Sequence, residues 1–508
     1  MSGKRERGDY QTPIAFAKAV CAFLKQERQL SYEVVIEPTC GVGAFIKASL
    51  VFEPQRVYGI ELNPEYCQQC AQDNQDERVR IIQSDCFAFD FASLAGDKST
   101  LVIGNPPWVT TSTLSSLGSN NLPPKANFRG LKGLDALTGE SNFDICQSII
   151  LKLLAAFKGT HTTIAMLCKT SVARSVFTEL VRQQISCQEC ALYEFDALKV
   201  FGIYASAGLF LIELSPHAPG VPASCAVYDL EQPHKLKSRF GFDEQGRWYS
   251  NLLSAPVADL EGPCCMEWRQ GVKHDCAKVM ELIKLSEGTF TNGLKETVEL
   301  EEDIVFPLVK SSMLKQPLIT EFSKYVIVTQ RKIREDTAHL AAAVPKTWAY
   351  LTAHAKLFYK RKSSIYQGAP VFSMFGIGEY SYAPYKVAIS GFYKEPLFAL
   401  VYDPDGKSVM VDDTVYFLSF ENFEEAYVAM LYLNSERVRH FLKSLAFLDA
   451  KRPYTKKLLT RLSFHKLVKH IALSELQACE QALKLRSRVT QGMVEHFTKL
   501  PALQIKDI

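Results

Sequence analysis

From Tyr32 to about Leu214 the chain alternates two hydrophobic patterns. Short runs of apolar, β-prone residues read as strands: "EVVIE" (Glu33–Glu37), "VYGIE" (Val57–Glu61), "VRIIQ" (Val79–Gln83), "LVIG" (Leu101–Gly104) and "TTIAMLC" (Thr162–Cys168). Their near-continuous apolarity predicts burial on both faces, as in a parallel sheet covered by helices. Over Phe143–Phe157 the period lengthens, with apolar residues at Cys146, Ile149, Ile150, Leu153 and Leu154 on one helical face. This rhythm predicts a doubly wound α/β domain. The most apolar stretch, "ALKVFGIYASAGLFLIEL" (Ala197–Leu214), is broken by Lys199 and two glycines. It is expected to form two buried strands joined by a turn rather than a membrane span.

At Ser215–Ser224, "SPHAPGVPAS", a Pro/Gly-rich connector stops the rhythm. Beyond it aromatic and basic residues interleave, as in "FYKRKSSIYQ" (Phe358–Gln367) and "YSYAPYKVAISGFYK" (Tyr380–Lys394), and helical periodicity returns around Glu424–Leu448 and Ser474–Leu500. The expected layout is an α/β domain over residues 1–220 and a larger α+β domain over 225–508. A chain of 508 residues exceeds what one core usually fills, in keeping with that division.

Composition narrows the function classes. With 47% hydrophobic and 22% charged residues the chain is an ordinary globular protein, not a disordered one. The net charge of +3 leaves any nucleic-acid affinity to local basic patches. The start, "MSGKRERGDYQTP", has no apolar signal core, so a soluble cytoplasmic protein, expected as a monomer, keeps its fourteen cysteines reduced. Cys67/Cys70 and Cys187/Cys190 have zinc-ligand spacing but lie far apart without Gly-rich knuckles. No metal is expected.

Candidate chemistry begins in "VVIEPTCGVGAF", where Gly41 and Gly43 link a strand to a helix and let backbone approach a nucleotide-like ligand. Ile46 stands where a third dinucleotide-motif glycine would be, and Glu37 precedes the loop. A carboxylate there disfavours a pyrophosphate and favours a sulfonium or ammonium charge. Glu61 ends the next strand, about 20 residues on, where an acid suits ribose hydroxyls. Asp85, with Phe87 nearby, follows the third and can accept from an exocyclic amine. Together these acids outline an S-adenosylmethionine site, with NAD as the alternative.

The fourth strand runs into Asn105-Pro106-Pro107-Trp108. The Asn105 side-chain oxygen and the Pro106 carbonyl can both accept from one –NH2 group. That draws a conjugated amine toward tetrahedral geometry and frees its lone pair, while the prolines hold both acceptors in place. Trp108 offers a stacking face worth about 1–3 kcal/mol per base.

In this order QTP (Gln11–Pro13), EPTCGVGAF, GIELNP, SDCF and NPPW resemble the motifs of the γ-class amino-methyltransferases of DNA, in particular the TaqI-like N6-adenine group, over roughly the first 215 residues. The resemblance implies a Rossmann-like S-adenosylmethionine-dependent methyltransferase domain followed by an α+β DNA target-recognition domain. It implies Thr12 and Pro13 near the methionine end of the cofactor, Glu37, Cys40, Gly41 and Gly43 in its loop, and Glu61 on the ribose. Asp85, Cys86 and Phe87 would then lie at the cofactor adenine, with Asn105 bordering the cofactor. Such enzymes place a second aromatic against a flipped base, and "KVFGIYASAG" offers Phe201, which also reads as a core residue. Implied too are double-stranded DNA as substrate, a restriction-modification setting and a separate restriction endonuclease as partner.

Cytosine N4 presents the same kind of amine, although its relatives more often carry Ser at the place of Asn105. RNA and protein-glutamine methyltransferases share the loop as well. A fused nuclease is not expected, since the pattern starts near Asp9 and "DPDGK" (Asp403–Lys407) reads as a turn. "WRQGVKHDC" (Trp268–Cys276) and "KRPYTKKLLTRLSF" (Lys451–Phe464) look more loosely like the C-terminal parts of such enzymes. For the DNA backbone the candidates are Arg331, Lys332, Lys360, Arg361, Lys362, Lys451 and Arg452, with Arg334, Lys456 and Lys457 beside them.

Overall fold

The computed structural model describes residues 11–26, 31–95, 98–109, 144–254 and 258–504. The chain forms two compact units, Met1–Leu253 and Ser254–Ile508.

The first unit is built on one sheet. Its strands are β1 (Val34–Glu37), β2 (Arg56–Glu61), β3 (Val79–Gln83), β4 (Thr100–Gly104), β5 (Thr162–Lys169), β6 (Glu189–Asp196), β7 (Ser206–Leu214), β8 (Ser224–Asp229), β9 (Gln232–Phe242) and β10 (Trp248–Tyr249). Their order is β10-β9-β8-β6-β7-β5-β4-β1-β2-β3. β3, β2, β1, β4 and β5 are mutually parallel, so their carboxyl ends share one edge. β1 and β4 are buried along their whole length, as continuous apolar runs require when helices cover both faces. The sheet order reverses at β1, with β2 on one side and β4 on the other. Ligands of open α/β sheets bind at such a switch point, outside the carboxyl ends.

The expected strands appear within a residue or two. The run at Ala197–Leu214 is corrected: its first part is a short helix, and only Ser206–Leu214 is a strand, antiparallel to both neighbours. Asp196 accepts from the Leu198 and Lys199 amides and caps that helix, and Gly202 ends it at φ 70°. Local capping thus decides what apolarity alone leaves open. The expected boundary near residue 220 also differs from the compact unit. The connector returns the chain to the same sheet, where β8 pairs in parallel with β6 (Ala191↔Ala226). Buried Cys225, Ala226 and Val227 make β8 a sheet strand, and proline-rich composition marks a loop rather than a domain edge.

Helices flank this sheet: α1 (Ile14–Gln26), α2 (Ala44–Ser49), α3 (Pro64–Asp73), α4 (Ile145–Phe157), α5 (Thr170–Arg182) and α6 (Ala197–Phe201). α3 starts where Asn63 accepts from the Glu65 amide, with Pro64 in the first turn. α4 occupies the expected helix, capped by Asp144; Phe143 lies outside the described residues.

The second unit is α+β. Among its described residues, sheets of five and six strands are accompanied by helices such as Phe423–Asn434, Glu436–Leu445, Leu473–Ala482 and Gln491–Thr498. The expected helix at Glu424–Leu448 is two, separated at Ser435. The Asp403–Lys407 stretch is the expected turn, with Gly406 N donating to the Asp403 carbonyl at 3.0 Å. No helix among the described residues is long and apolar enough to cross a membrane.

Candidate active site

At the switch point β1 ends in Glu37 and the chain turns through Pro38-Thr39-Cys40 into the glycine loop. Gly41 (φ 52°) and Gly43 (φ 85°) lie in the left-handed region. A Cβ on Gly41 would sit 2.8 Å from Gln11 Oε1, and one on Gly43 2.8 Å from Asn74 Nδ2 as well as against Cys70 Sγ. Both glycines are therefore favoured by conformation, and Gly43 also by space, because Cys70 and Asn74 are buried. Gln11 also accepts from the Val42 amide at 3.4 Å, so the Gln11-Thr12-Pro13 segment borders the loop before the Pro13 carbonyl starts α1.

Glu37 is buried, and its Oε2 accepts from the Ile46 amide at 3.1 Å. Burial, then the neighbouring Cys70, push its carboxyl well above the ordinary range; the Ile46 N–H opposes this and Glu61 adds to it. A buried acid so placed favours a positively charged ligand, which would restore its ionised form. Cys40 is buried beside it and held as a neutral thiol.

Glu61 closes the loop from β2. Its Oε2 accepts from the Gly41 amide (2.9 Å) and its Oε1 from the Asn63 amide (2.8 Å). Each oxygen keeps a second lone pair for a hydroxyl donor. Asp85 is exposed, and its Oδ1 accepts from the Phe87 amide at 2.8 Å, an Asx turn that fixes the Asp85–Phe87 bend. Burial, with Asp85 beside it, pushes the Cys86 thiol up to about 12. Lys152 of α4 donates to the Phe87 carbonyl.

The Asn105–Trp108 loop leaves β4 next to Glu37: a Cβ on Gly104 would lie 3.4 Å from Glu37 Cγ. The structure thus brings Glu37 and Asn105 to adjacent strand ends. Trp108, expected to present an open face, is only 6% exposed and its indole N–H donates to the Leu167 carbonyl at 3.3 Å. Its ring meets Phe201 edge to face, centroids 5.5 Å apart at 72°. Phe201 in turn packs against Phe16 (6.2 Å) and Phe195 (6.1 Å). A residue separated from Trp108 by 93 positions in sequence is its direct neighbour. Phe16, Lys152, Lys169 and Asp144 were not singled out by the sequence, which offers no motif for any of them.

The cationic candidates of the second unit divide in two. Lys332, Lys360, Lys362 and Lys451 are exposed. Arg331 is exposed and stacks over Tyr382 at 5.3 Å. Arg361, expected to meet DNA, is engaged as an internal brace. Its guanidinium donates to the carbonyls of Ser373 (2.7 Å), Val371 (2.7 Å), His274 (3.2 Å) and Phe358 (3.2 Å) and stacks on Tyr366 at 3.7 Å. Arg452 is half-committed, donating to the Asp413 carbonyl at 3.2 Å and lying over Phe392.

No family model matches the chain. The type II methyltransferase M.NspV of Nostoc sp. is 39% identical over 482 residues, 92% of this chain and 98% of that protein. The chain belongs to the type II methyltransferases. This methyltransferase uses S-adenosyl-L-methionine, and the buried acid beside the glycine loop suits the sulfonium charge of that cofactor. Its fold is similar to that of the type IIL restriction-modification enzyme MmeI, solved in complex with DNA, with a TM-score of 0.54 at 12% identity over 94% of this chain and 74% of MmeI.

Proposed function

We propose that this methyltransferase modifies adenine N6 within a short sequence of duplex DNA, the target base being flipped into the first unit. The observation that carries the reading is the Asn105-Pro106-Pro107-Trp108 loop at the end of β4, beside Glu37 and with Phe201 against Trp108. Bound S-adenosylmethionine supplies an electrophilic methyl group. Glu37 would balance the cofactor's positive charge from the end of β1, and Glu61 would orient its ribose. The Asn105 side-chain oxygen and the Pro106 carbonyl would accept from the target amine, favouring the tetrahedral geometry that frees its lone pair.

An amine in a stacked pair cannot reach Asn105 and the cofactor at once, so the base leaves the helix at a cost of a few kcal/mol. Trp108 and Phe201 offset this by stacking. Their edge-to-face contact has to open to admit a base. Phe201 ends a five-residue helix followed by Gly202 in the left-handed region, which suits it to move.

The second unit supplies target recognition, with Lys332, Lys360, Lys362 and Lys451 facing phosphates. Family membership supports duplex DNA, and a separate endonuclease and a cytoplasmic setting belong to the same reading. The test is to methylate duplex DNA with the full chain, digest it to nucleosides and identify the product by mass. N6-methyl-2'-deoxyadenosine is expected. N4-methylcytosine alone overturns the choice of base, and unmodified duplex alongside methylated RNA or protein overturns DNA.

A further inference from the structure

The Asn105–Trp108 loop has two prolines, which remove two backbone donors that could otherwise anchor it. Its far end is held instead from two other elements. Lys169, the last residue of β5, donates from Nζ to the Trp108 carbonyl at 3.1 Å and to Asp144 Oδ2 at 2.8 Å. Asp144 is buried, and its Oδ1 caps α4 by accepting from the Cys146 amide at 3.2 Å. Ile145 N donates to the Val109 carbonyl at 2.9 Å. One ammonium therefore ties the end of β5, the start of α4 and the end of the NPPW loop at a single point.

A buried carboxylate with an ammonium against it is an expensive way to join elements, because both groups lose hydration. β5 does not need the pair, being already matched to β7 from Thr162↔Leu214 through Lys169↔Ala207. What the pair does hold is the Trp108 carbonyl, two residues beyond the Pro106 carbonyl that faces the amine in the reading above. The rings of Pro106 and Pro107 fix their φ angles, which leaves fewer torsions to absorb a shift at Trp108 before it reaches Pro106. Displacements of about 1 Å at a reacting centre cost on the order of 10²-fold in rate. α4 also carries Lys152, which holds the Phe87 carbonyl, so one helix touches both the SDCF bend and the NPPW loop.

We propose that Lys169 and Asp144 are positioning residues that hold Asn105–Trp108 in its reactive geometry through the Trp108 carbonyl. The assignment rests on the reading of Asn105 and Pro106 as acceptors of the target amine. The test combines Lys169→Met with Asp144→Asn in the full chain, so that no buried charge is left unpaired and Asn still caps α4. Single-turnover methylation of a substrate duplex is expected to fall at least tenfold, with the dissociation constants for S-adenosylmethionine and duplex within threefold of wild type. Lys169→Arg alone, which keeps a cationic donor, is expected to recover at least a third of the rate. A second readout needs no substrate: with 5-fluorotryptophan at the four tryptophans, the Trp108 fluorine resonance, assigned with Trp108→Phe, shifts or broadens in the double variant. A double variant within twofold of the wild-type rate, or an unmoved Trp108 resonance, overturns the proposal. So does a parallel loss of cofactor affinity, duplex affinity and rate, which marks a general structural role. If the wild-type chain methylates no duplex, the proposed substrate falls, and the clamp stands or falls on the fluorine resonance alone.

Discussion

At the carboxyl edge of the first unit, Glu37, Glu61 and Asn105 stand at or just past the ends of β1, β2 and β4, where short local motifs suggest they should. In the second unit the same kind of local reading marks a run of three cations, and the central one, Arg361, turns inward to four carbonyls while Lys360 and Lys362 face solvent. The contrast has a physical source. A parallel sheet sends every strand's carboxyl end to one edge, so an acid or amide just past a strand is delivered to the same crevice whatever else the chain does. A cation has no such rule. Its charge can be met by water, a carboxylate, a carbonyl or an aromatic face, and sequence spacing does not choose among them.

The comparison is broken most directly at Asn105. Asn105→Ala is expected to lower single-turnover methylation by about 10²–10³-fold, by analogy with loss of one preorganised hydrogen bond, with duplex binding nearly unchanged. An equal loss in binding would move Asn105 from chemistry to recognition. The second unit should respond in the opposite way at Arg361. Arg361→Ala is expected to cost about 2–3 kcal/mol in urea unfolding, while the salt dependence of duplex binding keeps its slope. A stable variant with a shallower slope would return Arg361 to the DNA surface.

Glu37 sharpens the contrast through protons. Its folded carboxyl is raised above the unfolded value by burial, so the free folded chain retains the proton longer, and Glu37 erodes stability as pH rises from about 4.3 toward the folded value. A sulfonium ligand favours the ionised form. S-adenosylmethionine should therefore bind more tightly as pH rises through that window and release a proton on binding, seen by calorimetry in buffers of different ionisation enthalpy. Glu37→Gln is expected to lose the proton release and about tenfold in affinity (~1.4 kcal/mol). Retained proton release would transfer the effect to another group. The smallest effects belong to Lys332, Lys360, Lys362 and Lys451. Each replacement by Ala should reduce the slope of log affinity against log salt by about 1, and no change in slope at any of the four would place the DNA elsewhere.

Much of this was legible in one dimension. The strands that carry the motifs appear where alternating and continuous apolar runs predict them, and Asn63-Pro64 and Asp144 start helices through side-chain caps that depend on near neighbours. Other features were not legible. Composition placed the domain edge at the Ser215–Ser224 connector, but β8 returns to the sheet beside β6, and the compact unit runs to Leu253. The stretch at Ala197–Phe201 reads as strand from its apolarity alone, and Asp196 and Gly202 cap it as a helix.

The sequence by itself determined the order of strand ends, the glycine loop and the NPPW loop, because each depends on residues within a few positions and on the one-edge rule of a parallel sheet. Only the tertiary structure decided which face of Trp108 is covered, that Phe16 and Phe195 back Phe201, and that Lys169 joins Asp144 to the Trp108 carbonyl. All but the Phe195–Phe201 contact join residues tens of positions apart, and hydrophobic period carries no information about which distant side chain fills a given space.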